Sequence, residues 1–147
     1  MHVELFGVGD PRIGAAIRLR IAVFVDEQRV PLAEEIDEHD RTDTEAVHGL
    51  VRAGGVAVAT GRFFMRAPDA VQIGRMAVAA AARGTGIGRA VLLALMNEAR
   101  RRGFATAWLD AQDHAVGFYA KAGFVAAGPA FVDAGIVHRA MRRALVP

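Results

Sequence analysis

The sequence contains no cysteine and a single lysine, Lys121. The lack of cysteine excludes disulfide scaffolds, cysteine–zinc sites, iron–sulfur clusters and thiol catalysis, and no metal site is expected. All other basic residues are arginine, and the formal net charge is only +2. So small an excess does not favour nucleic-acid binding through counterion release, so no nucleic-acid partner is expected. Arginine forks still match the phosphate or carboxylate oxygens of a small anion.

Long apolar runs are also missing. No stretch approaches the roughly 18–20 apolar residues of a membrane helix, and the N-terminal MHVELFGVGD lacks the apolar region of a secretory signal. We therefore expect a soluble cytoplasmic protein with no membrane partner. Hydrophobic residues make up 53% of 147 residues, which favours one folded domain over residues 1–147 and excludes global disorder. The oligomeric state stays open, a homodimer included.

The periodicity of apolar residues predicts a mixed α/β or α+β fold. Helical spacing predicts a first helix from Pro11 to Gln28, and an acid-rich segment from Leu32 to Glu45 is expected to form a loop. The most regular apolar stripe predicts a helix from Arg89 to Arg102. Strands are expected at Val47–Ala53, Val56–Met65, Val71–Val78, Thr106–Ala111, Phe124–Ala127 and Ile136–Leu145, with a short helix at Ala115–Ala122. This order indicates one layer of sheet with helices packed on it.

The strand from Val71 to Val78 has an irregular apolar pattern. Its large apolar residues stand at odd positions first, Val71 and Ile73, and then at even ones, Met76 and Val78. A β-bulge near Gly74 would shift the alternation by one residue in this way. A strand buried on both faces would give the same pattern.

A glycine-rich loop, Arg83 to Gly88, lies between this strand and the predicted Arg89 helix. Glycines at alternate positions let the main chain approach a ligand, and the unpaired N–H groups of a helix start attract an anion such as phosphate. The P-loop pattern fails, because Arg89 stands where lysine is required. The dinucleotide pattern also fails, because the third glycine comes one residue early.

The loop resembles the acyl-CoA-binding motif of the GNAT superfamily of N-acetyltransferases, with Arg83 leading and Gly86 and Gly88 at the two required positions. The segment Ile73–Val78 resembles the bulged fourth strand of that family, and Phe118–Phe124 resembles its last conserved block. Further segments, Ala22–Gln28, Ala111–Ala115 and Asp133–His138, resemble the ElaA-like branch and extend the similarity over nearly the whole chain.

The resemblance implies a single mixed, mostly antiparallel sheet with a splayed, bulged strand and helices on both faces. It also implies that acetyl-CoA is the co-substrate and that its acetyl group passes to a primary amine of a small molecule or peptide by direct attack in a ternary complex. A non-catalytic acyl-CoA-binding sensor or scaffold is the alternative. The implied cofactor-binding residues are Met76, Ala77, Val78, Arg83, Gly84, Thr85, Gly86, Ile87, Gly88, Arg89, Gln112, Phe118 and Tyr119.

The resemblance assigns Tyr119 as the general acid that protonates the departing thiolate, and the N–H of Met76 or Ala77 as the oxyanion donor. Gln112 stands where many relatives carry asparagine. No glutamate lies on the strand where several relatives keep a base. The base is therefore not fixed by the resemblance, and Glu27 is the first candidate, because it closes the first helix, which lines the acceptor side in this superfamily. The other candidates are Glu34, Asp37, His48, His138 and a chain of water molecules.

The identity of the acceptor amine cannot be read from the residues. The acid-rich segment could attract a protonated amine, or it could be an ordinary solvated surface.

Overall fold

A mixed sheet of eight strands forms the centre of the protein, in a computed structural model that describes residues 2–145. The strands are β1 (Glu4–Phe6), β2 (Val47–Ala53), β3 (Val56–Ala67), β4 (Ala70–Val78), β5 (Thr106–Gln112), β6 (Val125–Ala126), β7 (Phe131–Asp133) and β8 (Ile136–Ala144). Their order is β1-β2-β3-β4-β5-β8-β6, and β7 pairs with β8. Only β4 and β5 pair in parallel within the described residues, which confirms the mixed, mostly antiparallel sheet.

Five α-helices connect or cover these strands: α1 (Ile13–Arg20), α2 (Leu32–Glu35), α3 (Glu38–Arg41), α4 (Ile87–Arg101) and α5 (Val116–Lys121). A π-helical stretch, Ile21–Glu27, continues α1, so the single helix predicted from Pro11 to Gln28 has two parts. The prediction of a loop from Leu32 to Glu45 is wrong where α2 and α3 form. A capping box on Asp37 begins α3, because its side chain accepts the N–H of His39.

Helices cover both faces of the sheet, as the resemblance implied. The apolar stripe of α4 packs on one face, against buried residues of β2 to β5. On the other face, Ala16 of α1 packs against Phe6 and Leu50. Leu19 and Val23 continue this second core toward Ala77 of β4. Residues of the α4 stripe are Val91, Leu92, Leu95, Met96 and Ala99.

A bulge interrupts β4. Its register against β3 shifts between the Arg62–Gly74 and Thr60–Ala77 pairs, so that Arg75 and Met76 both stand opposite Gly61. Two residues facing one define a β-bulge, which bends the strand and changes which face later residues meet.

The side chains of β4 follow this change of face. Val71 and Ile73, before the bulge, belong to the α4 core, and Met76 and Val78, after it, pack against the same core. Ala77 packs instead on the α1 side. The bulge predicted from the slipped alternation is therefore confirmed, and the strand is not simply a regular one buried on both faces.

The parallel strands β4 and β5 separate soon after they begin. They pair from Ala70–Thr106 to Ile73–Leu109 and no further. The second half of β4 and the last residues of β5 therefore form the two sides of a notch in the sheet.

The C-terminal part of the chain differs in detail from the sequence prediction. β7 was not predicted, and β6 contains two residues where Phe124–Ala127 was expected. Phe124 lies just before β6, where its side chain is buried in the core, because Gly123 turns the backbone with a φ of +91°.

No helix within residues 2–145 has the length and apolar character needed to cross a membrane.

Gly61 is required where the bulge packs on α4. A Cβ added there would collide with the sulfur of Met76 and would lie 3.1 Å from both Leu95 Cδ1 and Val91 Cγ1. We predict that Gly61→Ala lowers the free energy of unfolding by about 1–3 kcal/mol, because overpacking forces neighbouring side chains to move. Chemical denaturation measures the change.

Gly49 provides a matched control, because it pairs directly with Gly61 across β2 and β3. A Cβ at Gly49 would have its closest contacts at 3.5 Å, an ordinary distance. Gly49→Ala should therefore cost much less than Gly61→Ala, and Met76→Ala should recover part of the Gly61→Ala loss. Equal losses for the two alanine variants would contradict this account.

Candidate active site

An open cleft of about 1090 Å³ occupies the notch between β4 and β5. Its walls come from the end of the π-helical stretch, from β4 beyond Gln72, from the glycine-rich loop, and from the ends of β5 and α5. The cleft is completed by α2, α3 and the turn between β7 and β8. Of the predicted site residues, all but Thr85 line this cleft: Glu27, Met76, Ala77, Val78, Arg83, Gly84, Gly86, Ile87, Gly88, Arg89, Gln112, Phe118 and Tyr119.

The glycine-rich loop presents main-chain N–H groups at the start of α4. Gly84 and Gly86 have φ values of +78° and +84°, which L-residues with side chains rarely adopt. Within residues 2–145, no protein group accepts a hydrogen bond from the N–H groups of residues 84 to 89. Unpaired N–H groups at a helix start, with the positive end of the helix dipole behind them, form an anion-binding site.

Close packing fixes the position of this loop. A Cβ on Gly88 would lie 3.1 Å from Val78 and 3.7 Å from the ring of Phe118. Gly88 therefore lets the first turn of α4 approach both β4 and α5. The hydroxyl of Thr85 donates to the carbonyl of Ala82, a contact inside the loop that leaves the Thr85 side chain out of the cleft wall.

Arg83 and Glu27 form an ion pair at the edge of the cleft. Nη2 of Arg83 lies 2.9 and 3.0 Å from the two carboxylate oxygens of Glu27, and Nε donates to the Val78 carbonyl at 3.0 Å. Both residues are exposed, so the pair contributes little to stability. The pair instead fixes the position of the Glu27 carboxylate, which lies next to Arg83, the first residue of the glycine-rich loop.

Tyr119 is nearly buried, with 9% of its surface exposed, and it borders the cleft. Its ring packs edge-on against Phe118 and Phe124, with centroid distances of 5.0 and 6.1 Å. Burial raises its pKa to about 12, because the charged phenolate is disfavoured away from water. The phenol therefore keeps its proton at neutral pH and can act only as a donor of that proton.

Gln112 contacts a residue that the sequence did not single out. The side-chain amides of Gln112 and Gln28 donate to each other at 2.7 and 3.1 Å. This pair links the end of the π-helical stretch to the end of β5. No local sequence signal could have found Gln28, because the two glutamines lie 84 positions apart.

Three carboxylates of the acid-rich segment are paired with arginines and are not available to an amine. Arg20, 1% exposed, contacts Glu35 at 2.8 Å and Asp40 at 2.6 Å. Arg62 contacts Asp40 at 2.8 Å and Asp37 at 2.7 Å. With Arg75, which we consider below, these residues form the buried ionic cluster. Its three arginines balance its three carboxylates.

Arg75 connects the ionic cluster to the bulge. It has a φ of +52°, and its guanidinium donates to the carbonyls of Glu34 and Glu35 at 3.1 and 3.2 Å. The same group lies 3.5 Å from the Glu35 carboxylate and 3.4 Å from that of Asp37. Arg75 thereby joins the bulged strand directly to the α2 segment, and both elements line the cleft.

The comparisons with known proteins agree with this geometry. Residues 20–145 match the family described as Acetyltransferase (GNAT) domain. The chain belongs to the GNAT family of acetyltransferases. It is an acetyl-CoA-dependent N-acetyltransferase, and the family resemblance inferred from the glycine-rich loop is confirmed.

Relatives of this GNAT protein match it over most of their length. The uncharacterized N-acetyltransferase YjcF of Bacillus subtilis is 37% identical over 129 residues, spanning 87% of this chain and 89% of the relative. An acyl-CoA N-acyltransferase from Pseudomonas aeruginosa has a TM-score of 0.86 at 30% identity, covering 97% of this chain and 99% of that one. Escherichia coli ElaA has the same TM-score at 27% identity, covering 97% and 98%, in agreement with the ElaA-like resemblance.

The ionic cluster should make folding sensitive to acid. The neighbouring arginines hold the pKa values of Asp37 and Asp40 below their ordinary range despite burial, whereas burial raises the pKa of Glu35. Carboxylates with lowered folded-state pKa values stabilise the protein fully above their unfolded pKa, about 3.9, and lose this contribution as pH falls. The raised pKa of Glu35 acts in the opposite sense and offsets part of this loss of stability at low pH.

We predict that Asp40→Asn lowers the free energy of unfolding at pH 7 by about 3–5 kcal/mol, because Arg20 and Arg62 lose a buried partner. The variant should also lose less stability than the wild type between pH 5 and pH 2. Denaturation at several pH values measures both effects.

Glu38→Gln is the control, since this neighbouring side chain on α3 is 69% exposed and should cost under about 1 kcal/mol. A neutral effect of Asp40→Asn would show that the buried cluster does not stabilise the fold.

Proposed function

We propose that this N-acetyltransferase transfers the acetyl group of acetyl-CoA to a primary amine of a small molecule or peptide, by direct attack in a ternary complex. The observation that carries the proposal is that the unpaired N–H groups at the start of α4 and the Tyr119 side chain belong to the same cleft. One end of this cleft suits a pyrophosphate, and the other holds a proton donor for a thiolate.

The residues present fit the cofactor. The N–H groups of residues 84 to 89 would bind the pyrophosphate, and the side chains of Arg83 and Arg89 would add positive charge. The main chain of Met76, Ala77 and Val78, which has no partner from β5, would pair with the amides of the pantetheine arm. Phe118 and Gln112 border the path of that arm. When bound, acetyl-CoA supplies the activated acetyl group.

Two groups of the chain would lower the barrier to acetyl transfer. The N–H of Met76 or Ala77, on the splayed half of β4, would donate to the oxygen that gains negative charge as the amine attacks. The Tyr119 hydroxyl would give its proton to the departing sulfur. We assign Glu27 as the ionic partner of Arg83 at the phosphate end, since both its carboxylate oxygens face that guanidinium.

Cofactor binding should depend on the backbone of the loop more than on its side chains. We predict that Gly86→Val abolishes measurable binding of acetyl-CoA in calorimetry, because a β-branched residue does not tolerate a φ of +84°. Thr85→Ala should retain affinity near that of the wild type, since the Thr85 side chain faces the loop interior. Both variants need unchanged thermal unfolding for the comparison to hold. Wild-type affinity in Gly86→Val would contradict the phosphate site.

Turnover should depend on the Tyr119 hydroxyl. Release of CoA thiol from acetyl-CoA can be followed with a panel of primary amines: n-butylamine, ethanolamine, lysine amide, glucosamine and spermidine. We predict that Tyr119→Phe lowers kcat by about 100-fold, within the range expected for loss of an acid–base group, and leaves acetyl-CoA affinity unchanged. Because the Tyr119 pKa is about 12, wild-type activity should show no loss from its ionisation below pH 10. An unchanged rate in Tyr119→Phe would remove it as the general acid.

A further inference from the structure

Acetyl transfer to an amine also needs a base, and the cleft contains a histidine suited to that role. An amine that is protonated in water must lose one proton before its lone pair can attack, and the attacking nitrogen must lose a second proton as the amide forms. We propose that His138, on β8, is the general base of this reaction. The assignment rests on the acetyl transfer proposed above.

His138 lies on the wall of the cleft, on the β5 side of the notch. It pairs in register with Gln112, the last residue of β5, and it borders the same cleft as Tyr119. Gln112 lies three residues beyond Leu109, where β4 and β5 separate. His138 therefore stands where the two parallel strands have already parted.

A hydrogen bond fixes which nitrogen of His138 can accept a proton. Nδ1 lies 2.8 Å from the carbonyl oxygen of Ile136. A carbonyl can only accept, so Nδ1 must carry the hydrogen, and the neutral ring has its lone pair on Nε2. Within residues 2–145, no protein group forms a hydrogen bond with that Nε2. The ring also stacks on Phe131, with centroids 5.8 Å apart and planes 21° apart, which limits its rotation.

None of the other three histidines near this region combines a free nitrogen in the cleft with a fixed ring. His48 is 1% exposed, its Nε2 contacts the His39 carbonyl at 2.9 Å, and it does not border the cleft. His39 borders the cleft, but Nδ1 contacts Asp43 at 2.8 Å and Nε2 lies 3.4 Å from Glu38. His114 also borders the cleft, but within residues 2–145 no hydrogen bond or ion pair holds its ring.

The candidate carboxylates are less suitable than His138. Asp37 lies 2.7 Å from Arg62 and 3.4 Å from Arg75, and Glu27 is paired with Arg83. Glu34 borders the cleft on α2 and is exposed, but nothing in the described chain holds its carboxylate in one orientation. His138 combines a free lone pair with a fixed ring.

The proton balance of the reaction is complete with these groups. The ammonium first gives one proton to water. The neutral amine nitrogen then bonds to the thioester carbon, and the carbonyl electron pair moves to oxygen. As that pair returns, the carbon–sulfur bond breaks and sulfur takes the proton of Tyr119. A nitrogen proton passes to Nε2 of His138. The resulting imidazolium and phenolate return to their starting forms by proton exchange with water in the cleft.

Charged groups around His138 come from each neighbouring element. Asp110 of β5, Asp133 of β7 and His114 of the 3-10 turn after β5 all border the same cleft, and Arg139 follows His138 on β8 with its guanidinium on the Gly128 carbonyl. None of the carboxylates in residues 2–145 lies within 4.0 Å of the His138 ring. The ring is therefore free to exchange protons with substrate and water.

His138→Asn separates the catalytic role from a structural one. The asparagine amide can still donate to the Ile136 carbonyl in place of Nδ1, but it has no counterpart of Nε2. With the most active amine of the panel above, we expect kcat/KM at pH 7 to fall by about 100-fold while acetyl-CoA affinity and thermal stability stay at wild-type values.

Two further measurements complete the test. Free imidazole should restore part of the activity of His138→Ala, since it can enter the space left by the ring, and should not change the wild-type rate. His114→Asn, which changes an exposed histidine of the same cleft, should keep wild-type activity.

Full activity in His138→Asn, or an equal loss of activity in His114→Asn, would overturn the assignment while leaving acetyl transfer intact. If the wild type acetylates no amine of the panel, the proposed function fails and the assignment fails with it.

Discussion

Beyond Ile73 and Leu109 the two parallel strands no longer bond to each other, and the site is organised around this gap in the sheet. Main-chain groups without partners are costly when they are shielded from water, so the second half of β4 needs either solvent or a ligand along it. The bulge at Arg75 and Met76 bends this half of the strand. An extended ligand with amide groups can then take the place of a neighbouring strand, which is the role proposed for the pantetheine arm.

The buried ionic cluster holds α2 against the bulged half of β4, which forms one side of this opening. Arg75 occupies a backbone conformation that costs an ordinary residue about 1–3 kcal/mol, and its side chain contacts the carbonyls of Glu34 and Glu35. Arg20 holds Glu35 from the opposite side. Buried ion pairs often add little net stability compared with apolar packing. Their directional contacts nevertheless define where α2 lies relative to β4.

The sequence predicted the parts of the site that depend on neighbouring residues. The glycines between Arg83 and Gly88 and the slipped alternation around Gly74 are local patterns, and both identified features of the real fold. The ionic cluster was missed because Arg20, Glu35 and Arg62 lie on separate elements, and an acidic run by itself resembles a solvated loop. The Gln28–Gln112 pair and the free nitrogen of His138 likewise depend on tertiary contacts.

Local patterns predicted the loop but not the tertiary contacts of the site, and this follows from how the two substrates would be held. Main-chain groups of one continuous stretch, from β4 through the start of α4, form the proposed cofactor site, so only the backbone conformation must be encoded there and a few glycines suffice. The remaining cleft wall, which would face the acceptor, is assembled from side chains of α2, α3, β5, β7 and β8. Substitutions on those elements would change the shape and charge around the amine without disturbing the loop proposed to bind phosphate. A common cofactor site would therefore be compatible with many acceptors, and under this proposal acceptor identity would depend on the side chains around His138.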